Sequence, residues 1–161
     1  MNQVLGEAYL SARRYDLAIA HCQAALEVHP EESSLLQTLG WAYVYTGKYD
    51  KGAEAIARSN AIDGIPPEVS PDLAYVNAVI GKRTEARKTL ILLQTLGKDV
   101  DPGLMGLISA GLGERRETLA MLEGAYTRHS SMMTWLKVDA RFDAIRQDPA
   151  FQDLMRRVGL I

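Results

Sequence analysis

The 161-residue sequence predicts an all-α fold: an α–α superhelix, a short solenoid of about four helix pairs, closed by a helical C-terminal cap. Three observations carry this. The chain repeats itself, because Leu5-Gly6 recurs as Leu39-Gly40 and Leu73-Ala74 at a spacing of 34 residues, and as Met105-Gly106 after a further 32. Apolar residues within each half-unit recur with helical period, as Leu36, Leu39, Gly40 and Tyr43 do. No segment alternates apolar and polar residues with the period of a strand.

Further columns keep the same register. Tyr9 matches Tyr43. Ala18 matches Gly52, Ala86 and Thr118, and Cys22 matches Ile56, Leu90 and Leu122. A fixed period of this size marks stacked helix pairs, each of which needs its neighbours to bury its apolar face. The units are expected near residues 1–32, 33–66, 67–98 and 99–130, with a cap over 131–161. In the second unit the first helix stops at Thr46-Gly47-Lys48, where Gly suits the residue after a helix end. The second helix starts at Tyr49 and turns Ala53, Ile56 and Ala57 to one side. The small residues Gly6, Gly40, Ala74 and Gly106 let helix backbones approach closely. Ser70-Pro71, Asp101-Pro102 and Asp148-Pro149 each read as a helix start. The polar side chain caps free amides and Pro suits the first turn. The last helix is marked by the apolar stripe Phe151, Leu154, Met155 and Val158. A cap suits a solenoid's exposed final face, with Trp135, Phe142, Ile145 and Phe151 as its bulk.

This pattern of Leu-Gly, Tyr, Ala, Ala and Pro30 resembles the tetratricopeptide repeat family over roughly residues 1–130. Asn77 and Ser109 stand where that family prefers Tyr, and Thr118 replaces its small Ala, so the fourth pair is expected to pack less closely. The resemblance implies a right-handed superhelix whose first helices line a concave face. The ending, Trp135-Leu136-Lys137-Val138-Asp139 with Arg141-Phe142-Asp143 and Asp148-Pro149, resembles the final repeats of bacterial signalling proteins. Those carry winged-helix, nucleotide-cyclase or protein kinase domains upstream. It implies a chain that is the C-terminal part of a larger regulator, or a free-standing relative. The first unit, which lacks a cap and its first turn, points the same way.

Composition narrows the function. A net charge of -2 argues against bulk attraction to nucleic acid or to an anionic membrane. The N-terminus lacks the basic start and apolar run of a secretory signal, and no apolar stretch approaches a membrane span. A single cysteine excludes an intrachain disulfide and fits a reducing compartment, so a cytoplasmic location is expected. Catalysis has no constellation to stand on. His21 and His29 are two helical turns apart, too far for one small ion. Cys22 occupies a column filled elsewhere by Ile and Leu. No glycine-rich phosphate loop is present, and no cofactor or metal is expected. The basic residues at the within-pair turns, Arg13-Arg14, Lys48, Lys82-Arg83 and Arg115-Arg116, suit helix C-termini, and nearby acids cancel most of their field.

The surface that points to function lies on the first helices. Trp41, Val44 and Tyr45 form a second apolar face beside the packing stripe, repeated by Tyr75, Ala78 and Val79 and by Leu107 and Ala110. Gln37 and Trp41 stand, with Gln3 and Glu7, where family members that clamp a carboxylate carry paired cations. Any bound segment is therefore expected to be apolar or aromatic. The candidate protein-binding residues are Gln37, Trp41, Val44, Tyr45, Tyr75 and Leu107. Aromatic residues bury much area at small entropic cost, which suits a binding floor; packing between repeats would use them equally well. The function expected is a non-enzymatic scaffold that binds a peptide or protein segment. The alternative is self-assembly or docking to an N-terminal output domain, for which the run Leu90-Ile91-Leu92-Leu93 is the sequence signal.

Overall fold

The computed structural model describes residues 2–161, with the side chains of residues 4–161. Gln3 therefore lies outside the described side chains. Nine α-helices are present among the described residues, and no strand. Four consecutive pairs are α1 (Asn2–Ser11) with α2 (Tyr15–Val28), α3 (Ser33–Tyr45) with α4 (Tyr49–Ile62), α5 (Pro71–Val79) with α6 (Arg83–Leu96), and α7 (Pro102–Gly111) with α8 (Arg115–Thr127). The tail makes two short 3-10 turns, Ser131–Trp135 and Ala140–Ile145, and ends in α9 (Pro149–Val158).

Each pair closes through a three-residue turn built the same way. Arg13, Gly47, Gly81 and Gly113 all adopt positive φ at the middle of the turn. The next amide donates to a carbonyl five residues back: Arg14 to Tyr9, Lys48 to Tyr43, Lys82 to Asn77 and Glu114 to Ser109, all at 2.8–2.9 Å. This ends the first helix and aims the second back along it. Gly is the residue that reaches this conformation without strain. Arg13, at φ 59°, does so against its own preference.

The expected helix starts are in place. Ser70 Oγ accepts from the Leu73 amide at 3.2 Å, Asp101 Oδ1 from Gly103 at 2.8 Å, and Asp148 Oδ1 from Ala150 at 2.8 Å. Each cap satisfies one of the free amides of a helix N-terminus.

The close approaches foreseen at the small residues are uneven. α3 and α4 cross where Gly40 faces Gly52: a Cβ on either would fall within about 3.0 Å of the other's carbonyl oxygen. At Gly106 the nearest atom to an added Cβ is Met121 Cβ at 3.4 Å, ordinary contact. Thr118 is fully buried and donates its hydroxyl to the Glu114 carbonyl at 2.8 Å. Its extra atoms are thus accommodated, which differs from the looser fourth pair expected. Ser109, in the column where Tyr was expected, is also fully buried, and its hydroxyl has no hydrogen-bond partner.

The core runs along the stack in four clusters. Cys22, Ala25, Leu35, Leu39 and Tyr43 join the first two pairs. Trp41, Val44, Ile56 and Val76 join the second to the third. Ala74, Ala86, Leu90, Met105 and Ile108 join the third to the fourth. Leu107, Leu122 and Ala125 meet the tail's Met133, Leu136, Phe142, Ile145, Phe151, Leu154 and Met155. Three of the four residues proposed as cap bulk are therefore in the core. Trp135 is not, being 51% exposed. It ends the first 3-10 turn, whose geometry gives Met133 and then Leu136 the inward positions and leaves Trp135 facing the hollow of the stack.

Candidate functional site

The first helix of each pair faces a common hollow, and the tail lies across it. A cavity of about 510 Å³ is lined by Glu7 and Leu10 of α1, Gln37, Thr38 and Trp41 of α3, Asp72 of α5, Leu104 and Leu107 of α7, and Met132, Trp135 and Arg141 of the tail. A smaller recess of about 120 Å³ adjoins it, between Leu10, Ser11, Trp41 and Tyr45 on one side and Val138 to Arg141 on the other.

The tail contributes Arg141, the one cationic side chain lining the larger cavity among the described residues. The second 3-10 turn starts at Asp139, whose Oδ1 accepts from the Arg141 amide at 2.9 Å. The same carboxylate takes the Arg141 guanidinium, at 2.9 and 3.0 Å from Nε and 2.8 Å from Nη2. Thus held, the guanidinium lies 4.4 Å from the centre of the Trp41 ring, and Nη1 reaches Asp72 Oδ1 at 3.3 Å. A planar cation over an indole face is attracted by the ring quadrupole, and arginine's flat, weakly hydrated head suits this better than an ammonium.

Around that cation the aromatic residues form a floor. Trp41 stacks on Tyr45 with centroids 5.7 Å apart and meets Tyr75 edge-on at 5.6 Å. Tyr45 in turn lies 5.2 Å from Tyr15. Burial raises the Tyr45 hydroxyl well above its ordinary range and pushes Tyr75 up to about 12, with the Arg141 charge opposing both shifts. Burial also works against the charge on Arg141, but Asp139, through charge and hydrogen bonds, outweighs it and holds the guanidinium protonated.

A second tie joins the tail to the first pair. Arg13 donates to both oxygens of Asp143 at 2.6 and 2.7 Å. Arg146 also holds Asp143, at 2.7 and 2.9 Å, and ties back to the carbonyls of Leu136, Lys137 and Asp139. The hydrogen bonds from Arg13, partly opposed by burial and reinforced by Arg146, hold the Asp143 carboxyl below its usual range. Two of the basic turn residues elsewhere are engaged as well: Arg83 donates to the Leu112 carbonyl at 2.9 Å, and Arg115 pairs with Asp148.

The six residues proposed from sequence fall into three groups. Gln37 is exposed in the larger cavity, and its Nε2 donates to Asp72 Oδ2 at 2.9 Å. Trp41, Tyr45 and Tyr75 come together as the floor, but Trp41 is only 5% exposed, packed with Val44, Ile56 and Val76 and covered by Arg141. Leu107 lines the cavity while 1% exposed, and Val44 is buried against α4 and Val76. Arg141, Asp139, Asp72 and Trp135 were absent from the proposed set. The available signal was the Asp139-Ala140-Arg141 spacing inside an apolar stretch; nothing local says that this arginine reaches α3.

Cys22 is fully buried, and that burial pushes its thiol up to about 11. No group of three potential metal-ligating His, Cys, Asp or Glu residues occurs among the described residues. No helix among them is long and apolar enough to cross a membrane.

Comparison with known proteins points to helical-repeat proteins. The chain is 27% identical to Superkiller complex protein 3 of Mus musculus over 109 residues, 63% of this chain and 6% of that protein. It is 34% identical to Superkiller protein 3 of Schizosaccharomyces pombe over 76 residues, 47% of this chain and 5% of that protein. The human Superkiller complex protein 3 is 26% identical over 102 residues, with 63% and 6% covered. The similarity supports a tetratricopeptide-like repeat. The chain spans about one-twentieth of the length of these curated relatives. No protein-family model matches the chain.

Proposed function

We propose that this chain is a protein-interaction scaffold, not an enzyme, and that it binds a peptide or protein segment in the hollow of the stack. The observation that carries the reading is the open cavity of about 510 Å³ beside a half-exposed tryptophan. Trp135 stands at its edge, while Leu10, Leu104 and Met132 supply apolar wall and Gln37 offers a polar handle. An exposed aromatic beside a preformed apolar recess suits a binding hot spot. Similarity to proteins named for a superkiller complex agrees with work in association with other proteins.

The resemblance of the ending to bacterial signalling regulators supports a finer reading, a repeat module that serves a larger regulator. The relatives named above are eukaryotic, and the signalling role rests on the tail from Trp135 together with Leu112-Gly113 and Leu122-Glu123-Gly124-Ala125-Tyr126 before it. Self-association is a second reading, favoured by α6, where Ile91 is 60% exposed and Leu92 and Leu96 are exposed beside it.

Trp41 is unsuitable as a test residue because it is packed. Trp135→Ala and Gln37→Ala alter exposed positions and should leave thermal stability within about 0.5 kcal/mol of wild type. Captured proteins identified with wild type and lost with both variants would support the reading. Capture that ignores both substitutions would remove it. Light scattering at rising concentration tests self-association, which a chain that stays monomeric excludes.

A further inference from the structure

The partner's chemistry is written in the side chain that already lies in the hollow. We propose that Trp41, Tyr45, Tyr75 and Asp72 form a guanidinium-binding site that Arg141 fills in cis, and that the partner segment carries an arginine which enters by taking Arg141's place. This rests on the reading that the hollow binds a segment, and it specifies both the ligand and how access is regulated.

The site has the features that select arginine. The bound head lies over the Trp41 ring, 4.4 Å from its centre, with the Asp72 carboxylate 3.3 Å from Nη1. Lysine offers no plane to stack and no fork of donors in that geometry. Tyr45 and Tyr75 flank the indole, extending the floor on both sides.

The occupant can leave without dismantling the cap. Phe142 and Ile145, buried against Leu107, Leu122 and Phe151, hold the tail segment to the C-terminal core. Arg141 reaches from there to Trp41 of α3 and Asp72 of α5. Its strongest partner is Asp139, two residues earlier on the same turn, which stays close to a guanidinium that swings off the Trp41 ring even though their present hydrogen bonds must rearrange. The incoming arginine restores the Trp41 stack and the Asp72 contact that Arg141 gives up.

Charge favours a cationic visitor. Asp72 and Asp101 line the larger cavity beside Arg141, whose charge Asp139 already matches. Complementary potential guides such a segment to the cavity and sets its orientation. The resulting device is competitive: the hollow is closed to an arginine while Arg141 lies in it, and a segment that also fills the apolar cavity has the additional contacts needed to displace it.

The test uses the full chain, wild type and Arg141→Ala, titrated with N-acetyl-arginine amide and with N-acetyl-lysine amide, read by tryptophan fluorescence. The variant should bind the arginine probe about tenfold or more tighter than wild type does, and about tenfold tighter than it binds the lysine probe. Asp72→Asn added to Arg141→Ala should reduce that preference, leaving the part that comes from the Trp41 stack. Equal binding by variant and wild type, or equal binding of the two probes, overturns the proposal. An Arg141→Ala chain that does not fold also overturns it, since the side chain must be able to leave. The two readings fail separately. Arginine-probe binding with capture insensitive to Trp135→Ala removes the entry of a partner and keeps the cis site. Capture that depends on Trp135 with no arginine-probe binding removes the guanidinium site alone.

Discussion

Two helical glycines, Gly106 on the first helix of its pair and Gly52 on the second of its own, should respond to alanine with opposite sign. Gly→Ala inside a helix stabilises by about 1 kcal/mol when nothing obstructs the methyl group. At Gly106 nothing does, since the nearest atom to an added Cβ is 3.4 Å away. At Gly52 the added Cβ would meet Val44 Cγ2 at 2.6 Å, the Gly40 carbonyl oxygen at 2.9 Å and the Val44 amide at 3.2 Å. A valine methyl can rotate away, but two backbone atoms cannot, so α3 and α4 must separate by a few tenths of an ångström along a shared core. Overpacking of this kind costs about 1–3 kcal/mol, which outweighs the helix gain. Gly52→Ala should therefore lose about 1–2 kcal/mol, and Gly106→Ala should gain up to about 1 kcal/mol. Urea unfolding followed by far-UV circular dichroism reads both, as midpoints shifted in opposite directions by roughly 0.5–1 M. A Gly52→Ala chain at least as stable as wild type would refute the reasoning, as would a destabilised Gly106→Ala. The double variant Gly40→Ala/Gly52→Ala should cost less than the sum of the two singles, because helices already pushed apart admit the second methyl more easily.

Other perturbations follow from the same structure. Trp41→Ala removes a packed side chain from beneath Arg141 and should cost about 3–5 kcal/mol by chemical denaturation; a loss under about 1 kcal/mol would mean the ring is not packed in solution. The Asp143 carboxyl is held below its unfolded value by Arg13 and Arg146. Its contribution is thus present above the ordinary carboxylate range and lost as pH falls through the lowered folded value. Because the pair is half exposed, the effect should be under about 1 kcal/mol and should shrink with salt. Asp143→Asn should remove that part of the acid dependence of the thermal midpoint, and an unchanged pH profile would show that the tie does not form.

The parts of the fold that were legible in the sequence are those set by neighbours. Gly47, Gly81 and Gly113 announce their turns because the backbone there demands positive φ, and Ser70, Asp101 and Asp148 announce their helices because a cap acts within three residues. The spacing of Leu5, Leu39 and Leu73 reports the stacking period directly. The candidate site is legible only in half. Trp41, Tyr45 and Tyr75 share a face by helical period, so their meeting could be read from spacing. Their cover could not be, because Arg141 lies one hundred residues from Trp41 and sixty-nine from Asp72. Trp135 illustrates the same limit. Its size suggests burial in the cap, but the 3-10 turn before it decides which of Met133, Trp135 and Leu136 points inward.

Arg13 carries the longest reach of any of these interactions. Its pairing with Asp143 joins positions 130 apart, near the two ends of the stack. In a linear array of repeats, unfolding can begin at either end and advance one unit at a time, since each unit feels only its neighbours. A bond between the first turn and the tail changes that topology. Fraying of the first pair now breaks a contact made by the last, and loss of the tail releases the first turn. The pair also closes very late in folding, because the whole chain must be in place before Asp143 can find Arg13. A chain built from local modules thereby acquires a fastening between its first turn and its tail, and its ends are expected to unfold together instead of in sequence.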